Sequence, residues 1–119
     1  MFKKMILAAA TVVSLAAVAT PAQAQDGRDR RVTVINASGQ VLREMYASPV
    51  TSGSWEEDML GSNVLGSGRR MVFNIDNGTN ACRYDLKAVM GNGREHIRRN
   101  VNVCTISSWT ITNRGNSVR

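Results

Sequence analysis

The sequence is poor in several residue types on which common functions depend. It contains one histidine, and its two cysteines do not form a C-x-x-C motif. A histidine-rich metal cluster and a redox dithiol are therefore not expected. Aromatic residues make up 5% of the chain, too few to interleave with arginines as stacking partners for bases. The sequence therefore argues against nucleic acid as a partner.

No group of residues matches a catalytic pattern. His96 has polar neighbours and no accompanying Ser and Asp signature, so we expect it to be exposed or paired on the surface. The segment Gly66-Ser67-Gly68-Arg69 lacks the spacing and the lysine of a phosphate-binding loop. We therefore predict that the protein is not an enzyme and that it holds neither a cofactor nor a metal ion.

Residues 1–24 have the pattern of a secretory signal peptide. Lys3 and Lys4 precede an apolar run from Met5 to Val18, and Ala22-Gln23-Ala24 supplies the small residues of a cleavage site. The apolar run is shorter than the roughly 20 residues that a spanning helix needs. We therefore predict a signal helix that is removed, and a product beginning at Gln25 in the bacterial periplasm or outside the cell, with no stable membrane span.

Cys82 and Cys104 are the only cysteines in the chain. In an oxidising compartment two cysteines and no others indicate one disulfide bond. A bond at this spacing contributes about 3 kcal/mol by the loop-entropy relation. Bonded cysteines cannot act as nucleophiles, so the predicted bond is structural.

The charge is strongly basic and is carried mainly by arginine. The formal net charge is +6, and removal of Lys3 and Lys4 lowers it to +4. Such a charge favours anionic partners, which for an exported protein are an acidic envelope protein or another anionic envelope component. The alternative is that the arginines form a solvated face without a specific partner.

Hydrophobic residues alternate along most of the chain after residue 31. The pattern is clearest from Cys82 to Met90, where Cys82, Tyr84, Leu86, Ala88 and Met90 share one face. Turn signals such as Asp76-Asn77-Gly78 and Gly91-Asn92-Gly93 separate the segments. We predict a flexible lead-in over residues 25–31 and one monomeric β domain over residues 32–119.

The fold class that follows is all-β, a small antiparallel sandwich or partly closed barrel of six or seven strands. The first two strands, separated by Asn36-Ala37-Ser38-Gly39, are predicted to form a hairpin. A two-residue turn at Asn92-Gly93 would set Ala88 opposite Ile97 and Tyr84 opposite Val101. The returning strand must then end or bulge near residues 102–104 for Cys104 to reach Cys82.

The longest irregular connection is predicted from Ser48 to Gly68, and it contains Trp55 followed by Glu56, Glu57 and Asp58. Ser54 and Glu57 have the spacing of a capping box, which favours a short helical turn with Trp55 and Leu60 buried and Gly61 at its end. Two alternatives are a Ca²⁺ site, aided by Asp76 or Asn77, and an acidic contact surface. We treat Ser48, Trp55, Glu56, Glu57 and Asp58 as a candidate recognition loop.

Four motifs occur in the order of a family of small secreted proteobacterial proteins. That family has N-x-[TS]-G, then Y-x-S-P-S, then W-G-x-D-x-L-G, then Y-D-L-[RK] before a turn. The corresponding stretches here are Asn36 to Gly39, Tyr46 to Pro49, Trp55 to Gly61 and Tyr84 to Lys87. The chain resembles this family, although it has Val50 and Glu56 where the family tends to have Ser and Gly. The resemblance implies a secreted β domain and no active site.

Together these observations predict an exported binding or protein-interaction module that performs no catalysis. Long loops on a rigid sheet are common binding elements, so the connection after the second strand is the expected contact region. Two other functions remain open: a small disulfide-bonded inhibitor of an envelope hydrolase, and a Ca²⁺-dependent binding domain.

Overall fold

A computed structural model describes residues 23–119 of the protein, so the predicted signal peptide lies almost entirely outside the described residues. Within residues 23–119 the chain forms seven strands: β1 (Arg31–Ala37), β2 (Leu42–Pro49), β3 (Arg70–Asn74), β4 (Arg83–Met90), β5 (Glu95–Asn102), β6 (Ser108–Thr112) and β7 (Gly115–Val118). No helix in this part of the chain has the length and apolar character needed to cross a membrane.

The strands form two sheets that face each other across one core. One sheet has the order β3-β1-β6-β7, and the other has the order β2-β4-β5. Every pairing is antiparallel except that between β1 and β6, which is parallel. The all-β prediction is confirmed, and the arrangement is a small sandwich. The last strand, β7, has a polar sequence, and it can form because ladder pairing uses backbone groups and needs no apolar side chain.

The core contains the inward-facing residues of both sheets. Val32 and Val34 of β1, Leu86 and Ala88 of β4, and Ile111 of β6 are completely buried. Trp109 is the largest fully buried side chain. A tryptophan of this size between two short sheets contributes a large share of the apolar area removed from water.

The first two strands do not form the predicted hairpin, because β1 and β2 belong to different sheets. Buried Asn36 makes the connection possible: its Nδ2 donates to the carbonyls of Gln40 (2.8 Å) and Leu65 (2.9 Å). Its Oδ1 accepts hydrogen bonds from the backbone N–H and the hydroxyl of Ser38. These bonds satisfy backbone groups of the β1–β2 connection and of the later segment at Leu65, so the chain can arch from one sheet to the other.

The segment before β1 is packed against the sandwich through Arg30, whose side chain is fully buried. The Arg30 guanidinium pairs with both carboxylate oxygens of Asp26 (2.9 and 2.6 Å), and its Nε donates to the Ala81 carbonyl (2.7 Å). The hydrogen bond from Arg30 holds the pKa of Asp26 well below its usual range. The expectation of a flexible lead-in over residues 25–31 did not include this ion pair, in which Arg30 is buried and Asp26 is partly exposed.

The β4–β5 turn has three residues rather than two. Gly93, with φ of 86°, donates its N–H to Met90 O (2.9 Å), and Met90 N–H donates to Arg94 O (2.8 Å). Ala88 therefore pairs with His96, so the predicted pairing with Ile97 is wrong. Further along, Tyr84 pairs with Val101 as predicted, because a bulge at Arg99 and Asn100 shifts the register by one residue.

The predicted disulfide between Cys82 and Cys104 is confirmed, with the two Cα atoms 5.4 Å apart. Strand β5 ends at Asn102, and the Val103 N–H donates to the Cys82 carbonyl (2.8 Å). The chain leaves the ladder just before Cys104, so the cysteine side chain can turn back toward its partner. The bond therefore fixes the end of β5 to the residue that precedes β4.

A polar contact joins the two sheets at the edges formed by β5 and β7. Asn116 Oδ1 accepts hydrogen bonds from Trp109 Nε1 (2.9 Å) and from Arg98 Nε (2.8 Å). Arg98 also donates to the Asn116 backbone carbonyl (2.9 Å). The side-chain oxygen of Asn116 thus accepts the indole N–H of the buried Trp109. It also links its own sheet to Arg98 of the other sheet.

We expect Asn116→Ala to lower the free energy of unfolding by about 2 kcal/mol, because it leaves the buried Trp109 N–H without its acceptor. Chemical denaturation is the measurement. Ser117→Ala changes an exposed position of the same strand and should leave the free energy of unfolding within about 0.5 kcal/mol of the original value. Equal losses in the two variants would contradict the bridging role of Asn116.

Candidate functional site

The outer face of the β2-β4-β5 sheet carries a group of charged and aromatic side chains. Tyr46 pairs with Lys87, and Ser48 pairs with Asp85, so these four side chains are neighbours on the face away from the core. The connection from β2 to β3, residues 50–69, passes over part of this face. Its first half supplies the remaining contacts of the site.

Ser48 belongs to β2 rather than to the loop, since the strand continues to Pro49. Its side chain is buried, and its Oγ donates to the Ser54 carbonyl at 2.6 Å. The Val50 N–H donates to the Arg83 carbonyl (3.1 Å), which extends the contact toward β4. Ser48 is therefore an anchor that ties the loop to the sheet, and the contacting groups of the site lie beside it.

Trp55 is half-buried and lies on the outer face of the sheet, not in the core. Lys87 Nζ lies 5.0 Å from the centre of the Trp55 ring and 4.9 Å from the centre of the Tyr46 ring. The Arg99 guanidinium carbon lies 5.3 Å from the centre of the Trp55 ring. These are cation–π distances. We call Tyr46, Trp55, Lys87 and Arg99 the Trp55 patch.

The bulge in β5 determines where Arg99 points. Asp85 faces two residues of β5, and its carboxylate accepts hydrogen bonds from the Asn100 N–H (2.9 Å) and from Arg99 Nη1 (3.1 Å). Asn100 has a φ of 57°, in the left-handed region that asparagine tolerates better than most residues. Arg98 faces inward to Asn116, and the bulge presents Arg99 to the Asp85 carboxylate.

A cleft of about 170 Å³ adjoins the Trp55 patch, and we call it the serine cleft. Its lining combines hydroxyl, aromatic, carboxylate and guanidinium groups, from Ser48, Ser52, Ser54, Trp55, Asp85 and Arg99. Gly53 completes the lining. A cleft with both hydrogen-bond donors and acceptors beside an aromatic ring can bind a polar ligand of about the size of one sugar residue.

Tyr46 is held in the patch by Glu44, which accepts a hydrogen bond from the Tyr46 hydroxyl at 2.7 Å. This hydrogen bond, together with burial, raises the pKa of Tyr46 to about 12. The same bond lowers the pKa of Glu44. The phenol is therefore neutral over the physiological pH range. Lys87 and Arg99 each lie beside a carboxylate, Glu95 at 4.0 Å from Lys87 and Asp85 at 3.1 Å from Arg99.

The acidic stretch after Trp55 does not form the predicted capped helical turn. Glu56 has a φ of 63°, which ends any helical path at that residue. Asp58 Oδ1 instead accepts hydrogen bonds from the backbone N–H groups of Met45 (2.8 Å) and Leu60 (2.9 Å). Asp58 thus satisfies a backbone group at the edge of β2, while Leu60 is buried as expected.

Glu56, Glu57 and Asp58 therefore do not converge on one position. Glu56 and Glu57 are exposed, whereas the Asp58 carboxylate is bonded to the backbone. Asp76, considered as a further Ca²⁺ ligand, accepts hydrogen bonds from the backbone N–H groups of Ala24 and Gly78. Across residues 23–119 no three histidine, cysteine or acidic side chains lie close enough together to hold a metal ion.

Of the candidate recognition residues, the structure brings Ser48 and Trp55 together at one cleft and leaves Glu56, Glu57 and Asp58 outside its lining. Four residues of the site were not predicted from the sequence: Tyr46, Asp85, Lys87 and Arg99. Alternation along β4 placed Asp85 and Lys87 on the outward face. The strands beside them and the bulge were not visible in that pattern.

Comparison of the chain with protein-family models, with curated proteins and with solved structures gave no match.

We expect Trp55→Ala to lower the free energy of unfolding by about 1 to 2 kcal/mol, because the ring is half-buried and its two cation contacts contribute about 0.5 to 1 kcal/mol each. Trp109→Ala is the matched comparison and should cost about 3 to 5 kcal/mol, because it empties a core site. Chemical denaturation of both variants checks the difference. A loss at Trp55 as large as that at Trp109 would show that Trp55 is a core residue.

Proposed function

We propose that the protein is an exported binding module, and that the Trp55 patch with the serine cleft binds an acidic polysaccharide of the cell envelope. The proposal joins an anionic ligand, expected from the basic charge of the chain, to a specific surface. It assigns the protein no catalytic step.

The main support for the proposal is that Arg99 is held by two contacts and is still exposed to solvent. Its side chain is 66% exposed although it contacts both the Trp55 ring and Asp85. One guanidinium nitrogen, Nη1, donates a hydrogen bond to Asp85. The other N–H groups of the guanidinium can donate hydrogen bonds to a ligand. A guanidinium that is held in place before binding loses little side-chain entropy when it pairs with a carboxylate.

The lining of the serine cleft suits the other groups of an acidic sugar. Sugar hydroxyls both donate and accept hydrogen bonds, and the cleft offers the Asp85 carboxylate as acceptor and serine hydroxyls as both donors and acceptors. Trp55 adds apolar surface at the same place. The ligand carboxylate would pair with Arg99 while the hydroxyls face the cleft.

Localisation to the periplasm or the outside of the cell is part of the same proposal. The Cys82–Cys104 disulfide is typical of proteins that fold in an oxidising compartment. The signal-peptide pattern of residues 1–24 and the resemblance to small secreted proteobacterial proteins point the same way, and both stay predictions.

The other candidate functions receive less support from the geometry. An inhibitor of a hydrolase would need a loop that projects into the cleft of an enzyme, whereas residues 50–58 here lie on the sheet and are tied to Ser48 and Met45. A Ca²⁺-dependent module would need the acids of the loop to converge, and Asp58 is bonded to the backbone instead.

The test is isothermal titration of the protein, purified after export, with a tetramer of galacturonic acid. We expect Arg99→Gln to weaken binding at least tenfold, because it removes the cation that faces the ligand. Arg31→Gln removes the same charge from the opposite sheet and should leave the affinity within about twofold. A tetramer of galactose, which lacks the carboxylates, should bind at least tenfold more weakly than the acidic tetramer.

Equal affinity for the acidic and neutral tetramers would contradict the proposed role of Arg99. Equal weakening by Arg99→Gln and Arg31→Gln would show that only the net charge matters. Absence of binding to the acidic tetramer by the folded wild-type protein would contradict the proposed ligand class.

A further inference from the structure

Three turns meet at one end of the sandwich and enclose a second cleft of about 240 Å³, which we call the end cleft. They are the β1–β2 turn, the β4–β5 turn and the β6–β7 turn, which contribute Ser38, Gln40, Asn92, Arg94 and Asn113 to the lining. The two most deeply placed residues of this cleft on the strands are Met90 and His96. The end cleft shares no residue with the serine cleft.

His96 occupies an inward-facing position of β5, opposite Ala88, and is only 5% exposed. The expectation that this histidine would be exposed or paired on the surface is therefore wrong. The ring nitrogens of His96 are not among the side-chain atoms of residues 23–119 that are buried without a hydrogen-bond partner. Because His96 lines the end cleft, its imidazole N–H can donate a hydrogen bond to a ligand there.

The charge of the end cleft favours an anion. Arg94 Nη1 donates to the Asn113 carbonyl at 2.9 Å, which ties the β4–β5 turn to the β6–β7 turn and leaves the other guanidinium nitrogens as donors. The lining residues include no carboxylate. Burial, and to a smaller extent Arg94, lowers the pKa of His96, so at neutral pH the ring is an uncharged donor and acceptor.

Asn92 keeps this arrangement in place. Its Oδ1 accepts the Arg94 N–H at 3.0 Å, which fixes the backbone of the turn at the residue that carries the positive charge. A cleft of about 240 Å³ has room for a small molecule.

We propose that the end cleft binds a small anion, whose carboxylate or phosphate group pairs with Arg94 and accepts a hydrogen bond from His96. This site is independent of the Trp55 patch. A negative result for the end cleft therefore leaves the proposed polysaccharide binding unaffected, and the reverse also holds.

The single histidine of the chain makes a direct test possible, because its imidazole signals in a nuclear magnetic resonance spectrum belong to His96 alone. The exported protein is titrated with inorganic phosphate and, separately, with sodium acetate, at pH 7.5 and at an ionic strength kept constant with sodium chloride. We expect at least one of the two anions to move the His96 imidazole signals and the Arg94 amide signal along a saturable curve, while the Trp55 indole signal stays unchanged.

Arg94→Gln should weaken the response at least tenfold, whereas Arg31→Gln, at the other end of the sandwich, should not change it. Arg94→Lys retains a positive charge and should recover part of the response, which separates the charge from a general effect on the fold. A response to phosphate alone or to acetate alone identifies the anionic group. No saturable response to either anion, or an undiminished response in Arg94→Gln, would overturn the proposal.

Discussion

One extra residue in β5, held by one carboxylate, determines the geometry of the whole β4–β5 pair. Before the bulge Ala88 faces His96, and beyond it Tyr84 faces Val101, so the register changes by one residue at Arg99 and Asn100. Asp85 stabilises the change by accepting hydrogen bonds from both residues. The bulge keeps apolar Val101 directed inward, and it presents Arg99 to the Trp55 ring on the outer face. A β-bulge that redirects one side chain is a frequent element of binding sites.

The remaining polar contacts show how a small sandwich compensates for a limited core. A domain of about a hundred residues buries a modest fraction of its surface, so contacts outside the core are needed to hold the strand ends. The disulfide fixes the end of β5, the Asn116 amide joins β7 to Arg98 and Trp109, and Arg30 with Asp26 fixes the chain before β1. These contacts lie at the edges and ends of the sheets and leave two surfaces open. One is the Trp55 patch, and the other is the end cleft.

The sequence was sufficient for the fold class, the disulfide and most strands, because alternation of apolar residues and the spacing of turn residues are local signals. It was insufficient for the pairing of β1 with β6, because period-two alternation shows which face of a strand is buried and not which strand lies beside it. The turn at Gly93 was predicted with two residues and has three, and that difference changed the partner of Ala88. Trp55 was selected as a site residue, but Arg99 was not, since only the bulge brings it to the ring. His96 was misplaced because its neighbours in the sequence are polar.

The central claim is that Asp85, through the bulge, positions Arg99 for ligand binding at the Trp55 patch. The most direct measurement is a nuclear magnetic resonance comparison of the exported protein with its Asp85→Ala variant, with and without the galacturonic acid tetramer. If Asp85 positions Arg99, the Arg99 and Asn100 amide signals and the Trp55 indole signal move in the variant, and the affinity for the tetramer falls at least tenfold. The Trp109 indole signal, which reports on the core, should remain in place. Unchanged Arg99 and Trp55 signals, with wild-type affinity for the tetramer, would show that Asp85 does not position Arg99 for binding.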